Sequence, residues 1–468
     1  MSQSVPAGSP SAGSRPNVLF ILSDDQGPWA AGCYGNSEIR TPNLDRLATT
    51  GVRCERFFVA TPVCSPSRAT YLTGLIPSQH GIHDWLYSGQ SRPELKNYNT
   101  GPDARPLLAG QVGWTDVLAA QGYRCAISGK WHLGDSLRPQ HGMDFWFVHQ
   151  RGGGPYNDAP MVRDGQAVTE PGYVTDVITE EALRFLEGHA ATRPEQPFAL
   201  SVHYTAPHSP WDGHPQDLVD SYADCPFLSC PQEPRHPWAG SLTDQNMGNR
   251  ASLQGYFAAV TAMDRQIGRL LDWLEERGLR ERTLVVFVSD NGFSCGQHGF
   301  WGKGNGTSPR NMYENSIRVP ALFSHPGTLP QGHVAGAMVS AYDFLPTLLE
   351  YLGLPAPQDR PRPGRSFLPA LRGEADEGHE AVVIFDEYGP VRMIRTAAWK
   401  YVHRHPDGPH ELYHLQEDPD ERRNLAGEPG QGQRIEGLRA QMESWFARYV
   451  EPERDGLRAR LDVGSGGW

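Results

Sequence analysis

Residues 17–26 read NVLFILSDDQ, five apolar side chains in a row closed by a serine and two carboxylates. A run that short, with no polar alternation, suits a strand buried on both faces, the pattern of a parallel sheet covered by helices. The same grammar recurs downstream. TPNLDRLATTG (41–51) predicts a helix, with Thr41 as N-cap, Pro42 at the first helical position, Leu44, Leu47 and Ala48 on one face and Gly51 as the stop. GYRCAISGKWHLG (122–134) predicts a strand running into a polar turn, VTDVITEEALRFLE a helix from about Val174, and PFALSVHYTAPHSPW the strand after it. A long helix is expected over about 252–277, and TLVVFVSDNG (283–292) is the most apolar strand of all. VPALFSHP and the helix AYDFLPTLLEYLG continue the alternation, which implies an α/β fold: a large, mostly parallel sheet sandwiched by helices.

The composition shifts at about residue 355. PAPQDRPRPGRSFLPALRGEADEG (355–378) is rich in Pro, Gly and charge, like a linker or an edge excursion. Beyond it, AVVIFDEY, VRMIRT, WKYVHRH and HELYHL suit a smaller antiparallel sheet, with a helix over about 433–450 to cover it. The expected organisation is a flexible tail over 1–16, a catalytic α/β domain over 17–375 and a C-terminal α+β subdomain over 376–468.

With 468 residues, 38% of them hydrophobic, the chain is long enough for a large core. The first sixteen residues contain no apolar stretch, and no later segment is long enough to cross a bilayer, so a cytoplasmic protein without membrane contact is expected. Seven scattered cysteines, none in a C-x-x-C pair, argue against a disulfide framework or zinc knuckle. A formal charge of -12 gives no reason to expect nucleic acid, and an anionic substrate would need a locally positive pocket.

In open α/β sheets ligands bind beyond the carboxyl ends of the strands, and here those ends carry Asp24 and Asp25, Lys130 and His132, His208, and Asp290 with Asn291. The aspartates and the amide are hard oxygen donors, which suit one Ca2+ or Mg2+ ion rather than zinc. Lys130 and His132 sit two apart in the turn GKWHLG, His208 lies in the proline-stiffened loop APHSPW, and Lys303 lies in the glycine-rich GFWGKGNGTSP, where an ammonium can approach an anion closely. Two lysines, an arginine and a metal around one point describe a tetrahedral oxyanion site.

Cys64 stands four residues before Arg68 in TPVCSPSRATYLTG. A thiolate phosphatase would wrap its anion in a Cys-x5-Arg loop, but the sixth residue after Cys64 is Thr70. CSPSRATYLTG instead resembles the signature of the type I, formylglycine-dependent sulfatases, members of the alkaline phosphatase-like superfamily. The resemblance continues through NVLFILSDDQG, GKWHLG, the PH loop, SDNG, GKGNG and NMYENSIRVPALF to ELYHLQEDPDERRNLA. It implies an arylsulfatase-like sulfuric ester hydrolase of alkaline phosphatase-like fold, with Cys64 oxidised to 3-oxoalanine (formylglycine) by a formylglycine-generating enzyme. By the same resemblance Asp24, Asp25, Asp290 and Asn291 bind calcium together with the modified Cys64, and Arg68 orients the formylglycine. One hydroxyl of the aldehyde hydrate then attacks sulfur, Lys130 and Lys303 stabilise the sulfuryl oxygens, His208 protonates the leaving alcohol, and His132 removes the proton that lets the sulfated hemiacetal collapse.

For the substrate, IPSQHGIHDWLYSG places His80, His83, Asp84 and Trp85 where they would line the mouth of a pocket, and RGGGPYNDAP offers Tyr156 and Asp158. Aromatic faces with polar groups between them suit a sugar, which puts a sulfated carbohydrate ahead of a small aryl or alkyl sulfate. The alternative enzyme is a formylglycine-dependent phosphonate monoester or phosphodiester hydrolase, whose metal site tends to use histidine where this chain has Asn291.

Overall fold

The computed structural model describes residues 15–86, 96–386 and 390–457; the expected tail over 1–16 lies almost wholly outside them. In chain order the strands are β1 Asn17–Ser23, β2 Val52–Phe58, β3 Arg124–Gly129, β4 Met143–His149, β5 Asn157–Arg163, β6 Gln166–Tyr173, β7 Phe198–His203, β8 Thr283–Ser289, β9 Ser294–Cys295, β10 Trp301–Gly302, β11 Ala321–Ser324, β12 His333–Ser340, β13 Ala381–Asp386, β14 Val391–Thr396, β15 Trp399–Arg404 and β16 Glu411–His414. Ten of them form one sheet in the order β12, β2, β11, β8, β1, β7, β3, β4, β5, β6. Strands β8, β1, β7, β3 and β4 are successively parallel, while β11 and β5 run against their neighbours. The large, mostly parallel sheet expected from the sequence is present.

Strand β1 explains why the sheet lies buried between two layers. Its even residues Val18, Phe20 and Leu22 join a core with Tyr71, Trp114 and Phe344, and its odd residues Leu19 and Ile21 join a second core with Ile178, Met263 and Leu271. Strand β8 divides the same way, Val286 and Val288 to the first core, Val285 and Phe287 to the second. Successive strand side chains point to opposite faces, so an unbroken apolar run is the requirement for burial on both.

One local reading changes, one is decided between its two alternatives, and several strands are additions. Thr41 precedes the Pro42–Thr49 helix, but its hydroxyl accepts the Gly32 N–H at 2.8 Å and caps nothing. The carboxylate of Asp264, from the Arg250–Glu276 helix, accepts the N–H groups of Asn43 at 3.1 Å and Leu44 at 2.9 Å instead. The Pro-rich stretch is a packed excursion rather than a free linker: Phe367, Leu368, Ala370 and Leu371 are buried in the first core. Strands β2, β4, β5, β6, β9, β10 and β12 escaped the sequence reading; β6 is mostly exposed and carries no apolar run.

The C-terminal strands β13 to β16 form an antiparallel meander, covered by Leu438, Met442 and Phe446 of the Gly432–Tyr449 helix. This cluster also takes in Ala60, Ile76 and Tyr342 of the larger layer. A buried charge cluster completes the junction: Lys400 Nζ lies 2.9 Å from the Met312 carbonyl, 2.8 Å from Glu314 and 2.6 Å from Glu421.

Candidate active site

All the parallel strands deliver their carboxyl ends to one edge of the sheet, and backbone hydrogen bonds brace the loops that leave it. Asp24 N–H donates to the Ala206 carbonyl at 3.1 Å, Asp290 N–H to Ser23 at 3.1 Å, and Gln26 N–H to Asn291 at 3.1 Å. Asp25 is held in the left-handed region at φ 69°. Its N–H donates to Asp290 Oδ1 at 3.3 Å, and its carbonyl accepts the Tyr256 hydroxyl at 2.9 Å. His132 is likewise left-handed, at φ 55°. Conformations this sparse in non-glycine residues cost energy and persist where surrounding contacts over-determine them, commonly at functional sites.

Cys64 opens the Cys64–Thr73 helix, every residue of which is buried. Arg68 lies one turn further on, so the thiol and the guanidinium share a face. Arg68 donates through Nε to Asp290 Oδ2 at 2.9 Å and through Nη1 to the Lys130 carbonyl at 3.0 Å. Lys130 is paired with Asp24, and Lys303 Nζ lies 2.5 Å from Asp25 Oδ1. Asn291 Nδ2 donates to that same Asp25 oxygen at 2.6 Å. The Lys303 loop is tied down from behind by Asn311, whose amide donates to the carbonyls of Lys303 at 2.9 Å and Gly304 at 3.2 Å.

Burial alone would raise both Asp24 and Asp25, but the cations beside them win. Lys130, His208 and Arg68 hold Asp24 below the usual carboxylate range, and Lys303 and His208 do the same for Asp25. Burial pushes the Cys64 thiol up against the opposing pull of Lys130 and Lys303. The unmodified sulfur therefore rests as a thiol, which counts against a plain thiolate nucleophile.

The two histidines are held differently. His132 Nε2 lies 2.8 Å from the Leu86 carbonyl, which makes it the donor, and Nδ1 is buried with no hydrogen-bond partner. Burial, reinforced by Lys130, lowers its pKa well below the ordinary value and keeps the ring neutral, with a lone pair on Nδ1. His208 Nδ1 donates to the Ser209 carbonyl at 2.7 Å, which leaves Nε2 3.9 Å from Asp25 Oδ2.

Asp24 Oδ1 and Asn291 Oδ1 are buried without a hydrogen-bond partner. Ligand atoms of Asp24, Asp25 and His208 lie within 4.8 Å of one another. Orphaned oxygens among carboxylates are the donor set a hard divalent cation needs, so the residues present fit such an ion.

The site opens into a cavity of about 520 Å3 whose lining includes Asp25, Cys64, His132, His208 and Lys303. Of the residues expected at its mouth, Trp85 lines it, while His83 and Asp84 are buried and are not among its lining. His80 is turned inward, its Nδ1 accepting the Ile82 N–H at 3.1 Å. Tyr156 is buried, and its hydroxyl donates to the His208 carbonyl at 2.8 Å, a support for the histidine loop rather than a wall of the cavity. Asp158 is exposed. Sequence reasoning passed over Arg151, Gly152 and Gly153, which line the cavity, and Asn311 behind Lys303. For the first three the signal was the RGGG run itself.

Comparison with known proteins places the chain in a family. The sulfatase family model matches residues 16–354, and the model described as N-sulphoglucosamine sulphohydrolase, C-terminal, matches residues 296–447. The chain is 28% identical to an N-acetylglucosamine-6-O-sulfatase of Bacteroides thetaiotaomicron, over 94% of this chain and 88% of that one. It is 32% identical to the N-acetylgalactosamine-6-sulfatase of Homo sapiens, over 78% and 67%. A solved structure in complex with its substrate D-glucosamine-2-N,6-O-disulfate superposes with a TM-score of 0.78 at 25% identity, covering 96% of this chain and 100% of that one. A phosphonate monoester hydrolase of Agrobacterium radiobacter shares the fold, with a TM-score of 0.70 at 21% identity over 93% and 96%. With one family model spanning most of its length, and a relative 32% identical over 78% of it, the chain belongs to the sulfatase family and is a sulfuric ester hydrolase.

Proposed function

We propose that the protein hydrolyses sulfate monoesters of carbohydrates, with Cys64 as the precursor of formylglycine. The observation that carries this reading is the meeting of Cys64, His132, His208 and Lys303 in the lining of one cavity. A formylglycine at position 64 supplies, as its hydrate, the oxygen nucleophile, and a divalent cation, calcium before magnesium, held by Asp24, Asp25, Asp290, Asn291 and residue 64, adds positive charge beside it.

The chain's own residues do the rest. Lys130 and Lys303, each fixed by an aspartate, present ammonium groups to the sulfuryl oxygens without reorganising during reaction. Arg68 offsets negative charge at position 64 from one helical turn away. His208, oriented through Nδ1, protonates the leaving alcohol at Nε2. His132 accepts a proton at Nδ1, the one ring nitrogen its backbone hydrogen bond leaves free. Cys64 is only 4% exposed, so the oxidising enzyme must reach it before the chain folds.

The sugar assignment is supported by relatives named for sulfatases of N-acetylglucosamine and N-acetylgalactosamine, and by a cavity that sets Trp85 and Phe293 among Ser241, Gln245 and Asn305. Hydrolysis of the sulfate and phosphate esters of one phenol tests the reaction class. The sulfate ester should be turned over with the larger kcat/KM, and preference for the phosphate ester would favour the phosphohydrolase alternative. Cys64→Ala should abolish turnover while leaving the fold intact.

A further inference from the structure

We propose that Arg151 is a specificity residue, which reads a second anionic group, sulfate or carboxylate, on the alcohol part of the substrate. This rests on the sulfatase reading and deepens it from a sulfated sugar to a doubly anionic one.

Arg151 is half-buried and lines the same cavity as Cys64, His132 and His208. Its guanidinium has no hydrogen-bond or ion-pair partner among the described residues. Other arginines away from the surface do meet carboxylates: half-buried Arg163 lies 2.8 Å from Glu181, and the buried Arg395 and Arg404 lie 3.3 Å from Glu314 and 3.2 Å from Glu411. Burial lowers the pKa of Arg151, and no neighbouring carboxylate opposes it. Among the described residues the only carboxylate lining the cavity is Asp25, and Lys303 and Asn291 already hold its Oδ1. A half-buried fork of five donors on a residue that lines the cavity, where the one carboxylate is already held by Lys303 and Asn291, is matched by an anion that enters with the substrate.

The placement is fixed by the catalytic groups themselves. Arg151 N–H donates to His149 Nδ1 at 3.1 Å at the end of β4. The next residue, Gly152, lies against the His132 ring, where an added Cβ would come within 2.1 Å of it, and Gly153 faces the His208 ring, where a Cβ would sit at 3.3 Å. The segment from Arg151 to Gly153 is thus seated on both proton-handling rings. Arg151 therefore stands in a set relation to the reacting sulfate, and only anions at the matching distance from the scissile ester can engage it. Lys130 and Lys303 serve the sulfuryl oxygens, so the second anion falls to Arg151.

The test uses the mature enzyme, wild type and Arg151→Gln, with three esters: N-acetylglucosamine 6-sulfate, glucosamine 2-N,6-O-disulfate, and the disaccharide of a uronic acid with N-acetylglucosamine 6-sulfate. Wild type should favour one of the doubly anionic esters over the monosulfate, and which one identifies the second anion as sulfate or carboxylate. In Arg151→Gln the ratio of kcat/KM, doubly to singly anionic, should fall about tenfold or more, chiefly through KM. Arg151→Lys, which keeps the charge and loses the fork, should fall between. A wild type without preference, or a ratio unchanged by Arg151→Gln, overturns the proposal and leaves the sulfatase reading in place. Failure of the wild type to hydrolyse any of these esters or an aryl sulfate overturns the reading beneath it as well.

Discussion

Gly152 lies against the imidazole of His132, so close that a Cβ at position 152 would come within 2.1 Å of Cε1 and 2.6 Å of Nδ1. The ring cannot retreat without giving up the Nε2 bond to Leu86 that fixes its tautomer. Gly152→Ala should therefore lower kcat by at least about 100-fold, the usual worth of a positioned general base. Steady-state kinetics beside a thermal melt checks this, and a fully active Gly152→Ala would remove His132 from the proton path.

His208→Ala should separate substrates by leaving group. An alkyl sulfate needs its departing oxygen protonated and should lose about 100-fold or more in kcat, whereas an activated aryl sulfate should lose about tenfold or less. Equal losses on the two classes would assign His208 to binding instead of acid catalysis.

Lys400 tests whether the C-terminal sheet supports the catalytic layer. Its ammonium is fully buried among Glu314, Glu421 and the Met312 carbonyl, just past Asn311, which holds the Lys303 loop. Lys400→Met should destabilise by about 3–5 kcal/mol, because it strands the buried Glu421 carboxylate without a counter-charge. Adding Glu421→Gln should recover part of that in urea unfolding. A Lys400→Met variant of wild-type stability would show that this junction contributes nothing.

Asp264 carries a pH signature. Burial pushes its carboxyl from an ordinary 3.8 up to about 6, with the Leu44 and Asn43 N–H groups opposing. Because the folded value lies above the unfolded one, the proton-linked stabilisation is complete below pH 3.8 and is lost as pH rises through 6. The stability of wild type relative to Asp264→Asn should accordingly fall between those limits, and a flat difference would contradict the assignment. Asp264→Ala should cost about 1–2 kcal/mol near pH 7, as the loss of a helix cap does, and more at pH below 3.8.

The positions of Asp24, Asp25, Lys130 and Asp290 were legible because they sit at strand ends, where a local signal, an apolar run that stops at a charged residue, marks them. Asp24, Asp25, Asp290 and Asn291 meet for the reason their strands are parallel neighbours, β8 beside β1. What the sequence concealed depends on long-range contact. Thr41 has the right type and place for a cap, yet the cap is a carboxylate more than two hundred residues away, since the Thr41 hydroxyl is already engaged by Gly32. Tyr156 was read as a wall of the pocket because aromatics suit sugars, but its hydroxyl turns inward to the His208 carbonyl. The triple glycine at 152–154 carries its meaning only once the rings of His132, His208 and His149 are set against it.

The central claim is that Cys64 is converted to the aldehyde that supplies the nucleophile. Mass spectrometry of the tryptic peptide FFVATPVCSPSR, residues 57–68, from a preparation that hydrolyses an aryl sulfate tests it most directly. The peptide should have exchanged sulfur and two hydrogens for one oxygen, and the modified fraction should rise in proportion to specific activity across preparations. Full activity from protein whose Cys64 is wholly an intact thiol would contradict the account.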